Sequence, residues 1–315
     1  MFVPTKLQVL EHYFGYPAFR PGQEELIDAL LAGRDAVGIM PTGAGKSLCY
    51  QVPALLMKGI TLVVSPLISL MKDQVTALVQ NGVRGAYLNS SLSWNQYQAA
   101  LRNARAGVYK IIYVAPERLL TPEFLEFAKN APISMVTIDE AHCVSQWGQD
   151  FRPSYLTIPE FVEALPHRPV VSAFTATATP RVRKDILSLL ALQDPLVTVT
   201  SFDRPNLYFE VCRPKDKLQE TLKLLRERRE KSGIIYCATR KAVEDVCQTL
   251  QEQGYAATRY HAGLTDQERQ KNQEDFLYDR ATVMVATNAF GMGIDKSNVA
   301  FVIHYNCLLY TSDAA

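Results

Sequence analysis

The chain has 315 residues, about two domains' worth at roughly 150 residues per domain. Hydrophobic residues make up 48% and charged residues 21%, a globular balance that excludes disordered and fibrous folds. Lys and Arg number 33 against 32 Asp and Glu, so no basic domain exists, and any nucleic-acid surface is a local stripe.

Short apolar runs rich in β-branched residues recur along the chain. Strands are expected at Ala36–Met40, Thr61–Ser65, Ile111–Val114, Met135–Ile138, Val170–Phe174, Gly233–Cys237, Thr282–Ala286 and Val299–Tyr305. Helix-length patterns lie between them at Lys46–Met57, Leu67–Gln80, Arg181–Leu190, Arg240–Gln253 and Asp266–Tyr278. Continuous apolar strands alternating with helices predict an α/β fold whose parallel sheets are covered on both faces. The seam between two such sheets is expected in Gln193–Pro214, which carries Pro195, Pro205 and Pro214.

No run reaches the roughly 18 apolar residues of a membrane span, and Met1–Lys6 lacks a signal-peptide core, so the expected compartment is the cytoplasm. The cysteines, Cys49, Cys143, Cys212, Cys237, Cys247 and Cys307, lack zinc-knuckle spacing. Most sit in apolar runs, as reduced core thiols do.

The strongest chemical signal is Met40-Pro41-Thr42-Gly43-Ala44-Gly45-Lys46-Ser47, between an expected strand and an expected helix. Gly43 and Gly45 let successive N–H groups turn toward a phosphate, and the helix start adds its positive end. Lys46 is placed to reach the β- and γ-phosphates of ATP, and the Ser47 hydroxyl to hold Mg²⁺. The strict phosphate-loop pattern has Gly where this chain has Met40. A second strand, Met135–Ile138, runs into Asp139-Glu140-Ala141-His142. Carboxylates at the C-terminal end of a parallel strand stand where such sheets bind ligands. Asp139 is expected to bind Mg²⁺ through water, and Glu140 to orient or deprotonate the attacking water.

The loop Pro41–Ser47 and the box Asp139–His142 resemble those of superfamily-two helicases, and the flanking segments narrow the resemblance to RecQ-type DNA helicases. It runs from about Phe14 to Asn306. The resemblance implies two RecA-like domains, of which 1–200 is the ATP-binding domain and 201–306 an incomplete C-terminal domain. Phe14–Gln23 is similar to that family's adenine-recognition motif, so Tyr16 is implied to stack on the base, Gln23 to read its edge and Arg20 to assist. The resemblance also places Thr42 among the nucleotide contacts and His142 among the catalytic residues.

Val64–Gln74 and Tyr113–Leu119 are similar to strand-contacting motifs, where helix starts and hydroxyls hold phosphates without a basic patch. Cys143–Pro153 looks like the aromatic-rich loop that couples DNA binding to hydrolysis. Trp147 and Phe151 offer stacking faces there, and Arg152 a cation. The family commonly has His where this chain has Gln149. Ser172–Thr179 resembles the motif that links hydrolysis to strand movement, which assigns Thr175 and Thr177 to coupling. In the second half, Ile234–Lys241, Tyr260–Leu264 and Val285–Asp295 match further motifs, with Asp295 implied to face ATP in a cleft between the domains.

After Asn306 a RecQ-type chain is expected to continue to a Gly-Arg-Ala-Gly-Arg segment whose arginines reach the γ-phosphate. Residues 307–315 read instead as a non-native tail, which predicts ATP binding with little turnover. The implied activity is ATP-dependent 3′ to 5′ translocation on single-stranded and partly duplex DNA, unwinding it for repair and recombination, with no membrane partner. The competing readings are an RNA helicase of the same superfamily and a nucleotide-gated DNA-binding fragment.

Overall fold

The computed structural model describes residues 4–148, 150–201, 206–288, 290, 296 and 298–306. The chain separates into two compact units, Met1–Arg204 and Pro205–Ala315.

In the first unit, α1 (Lys6–Phe14) and α2 (Gln23–Leu31) precede β1 (Ala36–Ile39). Strands and helices then alternate: α3 (Lys46–Leu56), β2 (Ile60–Val64), α4 (Ile68–Gln80), β3 (Gly85–Leu88), α5 (Trp94–Arg105), β4 (Ile111–Val114), α6 (Pro122–Asn130) and β5 (Ile133–Ile138). The short helix α7 (Ile158–Glu163), β6 (Val170–Thr175), α8 (Pro180–Leu189) and β7 (Leu196–Val199) complete it. All seven strands are parallel, in the order β3-β4-β2-β5-β6-β1-β7.

Alternate residues of each strand feed opposite cores, which is why the strands read as continuous apolar runs. Leu62 and Val64 pack with Phe124, Phe127 and Phe161 on one side, while Val63 joins Leu26, Tyr50 and Met71 on the other. Asp35, with a side chain 1% exposed, ties three strand starts together. It pairs with Arg168 at 2.6 Å and accepts the N–H groups of Val171 and Gln193 at 2.9 and 2.8 Å.

The expected strands at 36–40, 61–65, 111–114, 135–138 and 170–174 correspond to β1, β2, β4, β5 and β6, with ends shifted by one or two residues except in β4. β3 carries no strand signal in the sequence, because Gly85-Ala86-Tyr87-Leu88 is brief and opens on Gly. β7 lies inside the segment expected to be a seam. It pairs with β1 over Leu196–Val199 and closes the edge of the first sheet, so the Pro-rich stretch begins as part of that sheet.

The second unit runs α9 (Lys217–Glu227), β8 (Ser232–Tyr236), α10 (Arg240–Glu252), β9 (Ala257–Tyr260), α11 (Asp266–Leu277), β10 (Val283–Ala286) and β11 (Val299–His304). Its parallel strands stand in the order β11-β8-β10-β9 around Leu222, Ile235, Val243, Leu250 and Val285. Cys49, Cys143, Cys237 and Cys247 are buried thiols outside any disulfide, whereas Cys212 is exposed.

Candidate functional site

The C-terminal ends of β1, β5 and β6 converge where the strand order doubles back, the position at which open α/β sheets bind ligands. After β1 the chain turns through Gly43 and Gly45, with φ of +81° and +80°, and enters α3. Both angles lie in the left-handed region that glycine reaches freely. Gly45 is the N-cap of α3 and no side chain caps that helix, so its first N–H groups are left for an anion. Lys46 Nζ lies across the loop and donates to the Met40 carbonyl at 3.2 Å.

The loop is braced from α2. Gln23 is 1% exposed, and its amide nitrogen donates to the Ala44 and Gly45 carbonyls, both at 3.1 Å. Its Oε1 accepts the Arg20 N–H at 2.8 Å, and the Arg20 guanidinium donates to the Gly43 carbonyl. A Cβ on Gly45 would meet Gln23 Nε2, so a larger residue there would have to displace that amide as well as adopt the positive φ. Gln23 and Arg20 thus grip the Gly43–Gly45 loop itself, while Tyr16 is exposed.

β5 delivers Asp139 to the same edge. Its N–H donates to the Val64 carbonyl at 2.9 Å, and its carboxylate accepts the Glu140 N–H at 3.0 Å. Burial, then the charge of Glu140, pushes the Asp139 carboxyl up to about 7, with Lys46 acting in the opposite direction. Glu140 adopts φ +48°, a strained angle for a residue with a side chain, and the chain then enters a 3-10 turn at Ala141–Val144.

That turn brings His142 Nδ1 to 2.9 Å from Thr175 Oγ1 at the end of β6 and to 3.3 Å from Glu140 Oε2. Thr175 Oγ1 donates to the Thr177 carbonyl and accepts the Thr177 N–H, both at 3.1 Å. With the hydroxyl proton so engaged, His142 Nδ1 is the donor. The box and the threonine-rich strand end therefore form one hydrogen-bonded unit reaching Glu140.

The following loop is packed onto the box at Gly148, where a Cβ would run into the His142 carbonyl oxygen. Arg152 pairs with Asp150 at 2.8 Å and donates to the Pro66 carbonyl at 2.7 Å, joining this loop to the β2–α4 connection. Trp147 is 60% exposed, and Phe151 is half-buried.

Several partners were not anticipated. Tyr155 donates to the Asp139 carbonyl at 2.8 Å, Ser145 Oγ to Asp185 at 2.6 Å, and the Arg181 guanidinium lies 3.5 Å from the centre of the Trp147 ring. Each joins elements far apart in the chain, and no local pattern marks them. Gln149 and Asp295 lie outside the described residues, as do residues 307–315. In the second unit, His261 Nε2 and Glu244 stand 2.8 Å apart, and His261 Nδ1 accepts the Gly263 N–H at 3.1 Å, which holds the Tyr260–Leu264 turn.

The donor set suits a magnesium nucleotide. Mg²⁺ takes few protein ligands and keeps water and phosphate oxygens, which matches one hydroxyl, Ser47, and one carboxylate, Asp139. A buried Asp139 beside Glu140 is a carboxylate whose charge a divalent cation would stabilise.

Residues 20–186 match the family model described as DEAD/DEAH box helicase, and residues 216–313 match the helicase conserved C-terminal domain. The chain is 48% identical over 302 residues to the ATP-dependent DNA helicase RecQ of Pasteurella multocida, covering 96% of this chain and 48% of that protein. It is also 48% identical to the ATP-dependent DNA helicase RecQ of Bacillus subtilis, covering 94% of this chain and 50% of that protein. The chain thus spans about half the length of these curated relatives. In fold it resembles the helicase MrfA bound to DNA, with TM-score 0.75, 17% identity and coverage of 96% and 47% of the two chains. It equally resembles Mss116p bound to single-stranded RNA and AMP-PNP, with TM-score 0.75, 16% identity and coverage of 96% and 67%.

Proposed function

Because this chain belongs to the DEAD/DEAH box helicase family and carries the sequence of a RecQ-type helicase core, we propose that it couples ATP hydrolysis to 3′ to 5′ movement along single-stranded DNA. Duplex ahead of the motor is unwound, in the service of repair and recombination. The observation that carries this reading is a relay of hydrogen bonds across the site: Lys46 donates to the Met40 carbonyl, the Met40 N–H to the Thr175 carbonyl at 3.0 Å, and His142 to Thr175 Oγ1. Lys46 lies at the nucleotide end, Asp139, Glu140, His142 and Thr175 in the middle, and Gly148 and Trp147 at the strand end.

In this reading the N–H groups at Gly43–Ser47 and the Lys46 ammonium bind phosphates, and Tyr16 stacks on the base. Gln23 and Arg20 hold the loop in its binding shape. Ser47 and, through water, Asp139 would hold Mg²⁺, which would supply Lewis-acid charge at the phosphate oxygens. Glu140 orients and deprotonates the attacking water, and His142 fixes Glu140 relative to Thr175. Trp147 and Phe151 stack on bases, which grips a strand without reading its sequence and without a large basic patch.

The test is ATP turnover of this chain with and without single-stranded DNA, against Lys46→Ala as background. It is paired with unwinding of duplexes carrying 3′ or 5′ tails, in DNA and in RNA. Strand-stimulated turnover about 10²- to 10³-fold above the Lys46→Ala background, a scale typical of losing one charge-stabilising donor, would support the helicase reading and overturn the expectation of little turnover attached to residues 307–315. Unwinding is expected only from 3′ DNA tails. Equal or faster unwinding of RNA would overturn the DNA reading. Strand binding with turnover at background would leave a nucleotide-gated binding module in its place.

A further inference from the structure

From the contacts made by α8, we propose that Arg181 is a positioning residue of the strand-binding site, one that builds Trp147 into a ready stacking platform. This rests on the reading above that Trp147 receives a base.

An exposed tryptophan on a loop ordinarily samples several rotamers, and a base that stacks on it must freeze them. Here one ring face is already covered. The Arg181 guanidinium lies 3.5 Å from the ring centre, within stacking distance for a planar cation over an indole. The residue as a whole is still 60% exposed with Arg181 in place, which leaves room for a base on the indole.

The loop beneath is held by the same helix. Asp185, one turn beyond Arg181 on α8, accepts the Ser145 hydroxyl at 2.6 Å, and Ser145 Oγ in turn accepts the Trp147 N–H at 3.1 Å. Arg181 and Asp185 thus fix the side chain and the backbone of one residue from one helix face. That helix opens at Thr179, whose hydroxyl accepts the Val182 N–H, directly after the turn in which Thr175 bonds His142. Arg181 has no other partner among the described residues. The outcome is a three-layer stack of guanidinium, indole and incoming base. Arg181 acts through the indole, not through a phosphate of its own.

The experiment uses Trp147 as its own reporter. The chain has two tryptophans, so Trp94→Phe leaves a single indole signal. In that background, Arg181→Ala and Arg181→Lys are compared with the parent, first without nucleic acid and then titrated with single-stranded DNA. Both variants change an exposed side chain, and a thermal melt checks that each is folded.

Without DNA, Arg181→Ala is expected to lower the steady-state anisotropy of the indole. With DNA, it is expected to weaken binding about 3- to 10-fold, and Arg181→Lys to restore little, because an ammonium keeps the charge but not the flat stacking face. Measured by anisotropy of labelled DNA, Arg181→Ala is expected to add nothing further in a Trp147→Ala background.

Unchanged indole anisotropy in Arg181→Ala overturns the proposal whether or not DNA binds. Full rescue by Lys, or an undiminished Arg181→Ala effect in the Trp147→Ala background, also overturns it, since either identifies a plain phosphate contact. A parent protein that fails to bind DNA at all refutes the strand-binding reading instead, and the anisotropy arm still judges the Arg181 contact.

Discussion

Thr175 is the residue on which the two halves of the first unit's site meet. Its hydroxyl serves His142 from one direction and the Thr177 backbone from the other. Thr175→Val keeps the shape but leaves His142 Nδ1 without that acceptor in a buried place, at a cost of about 1–3 kcal/mol. The expected outcome is nucleotide affinity close to the parent with strand-stimulated turnover reduced about tenfold. Titration with a fluorescent nucleotide beside a turnover assay separates the two effects, and equal losses in both would refute the coupling role. Asp35 acts at the same scale but on stability alone. Its carboxylate is buried beneath Arg168 and two backbone N–H groups, so Arg168→Ala strands a buried charge. A loss of about 3–5 kcal/mol is expected in the denaturant unfolding of the first unit.

Among the elements, α3, α4 and β4 are locked by a buried polar cluster. Tyr50 and Tyr113 hydroxyls lie 3.1 Å apart, and Gln51 donates to Tyr113 at 3.3 Å and to Gln74 at 3.3 Å. Burial, before any other cause, pushes both phenols well above their ordinary value of 10. The unfolded phenols release protons near pH 10 while the folded ones keep theirs. Folded-state stability contributed by this cluster is therefore complete below pH 10 and falls as pH rises beyond it. At pH 10.5 the loss is expected to approach about 1 kcal/mol per phenol. Tyr113→Phe removes one such group, so its unfolding midpoint should fall less steeply between pH 8 and 10.5 than that of the parent. Parallel pH profiles would show that the Tyr113 phenol does not stay protonated in the folded protein.

Across the whole molecule, the stretch 207–212 near the start of the second unit is the most exposed apolar segment described. Tyr208, Phe209 and Val211 are each more than 80% exposed, and Cys212 beside them is an exposed thiol. Brief chymotrypsin treatment is expected to cut after Tyr208 or Phe209 first, and mass spectrometry of the fragments identifies the site. First cuts inside β1–β7 would contradict the division at Arg204 and Pro205. No helix among the described residues is long and apolar enough to cross a membrane. The sequence by itself determined the α/β class, five of the seven strands of the first sheet, the glycine turn between β1 and α3 and the position of Asp139–His142 at the end of β5, because these depend on local periodicity, glycine conformation and short spacing. Only the tertiary structure decided that β7 belongs to the first sheet, that Gln23, expected to read the edge of a base, bonds the Ala44 and Gly45 carbonyls, and that α8 holds Trp147. Those contacts join residues from 21 to 160 positions apart, and such pairings follow from how layers pack, which no short window of sequence encodes.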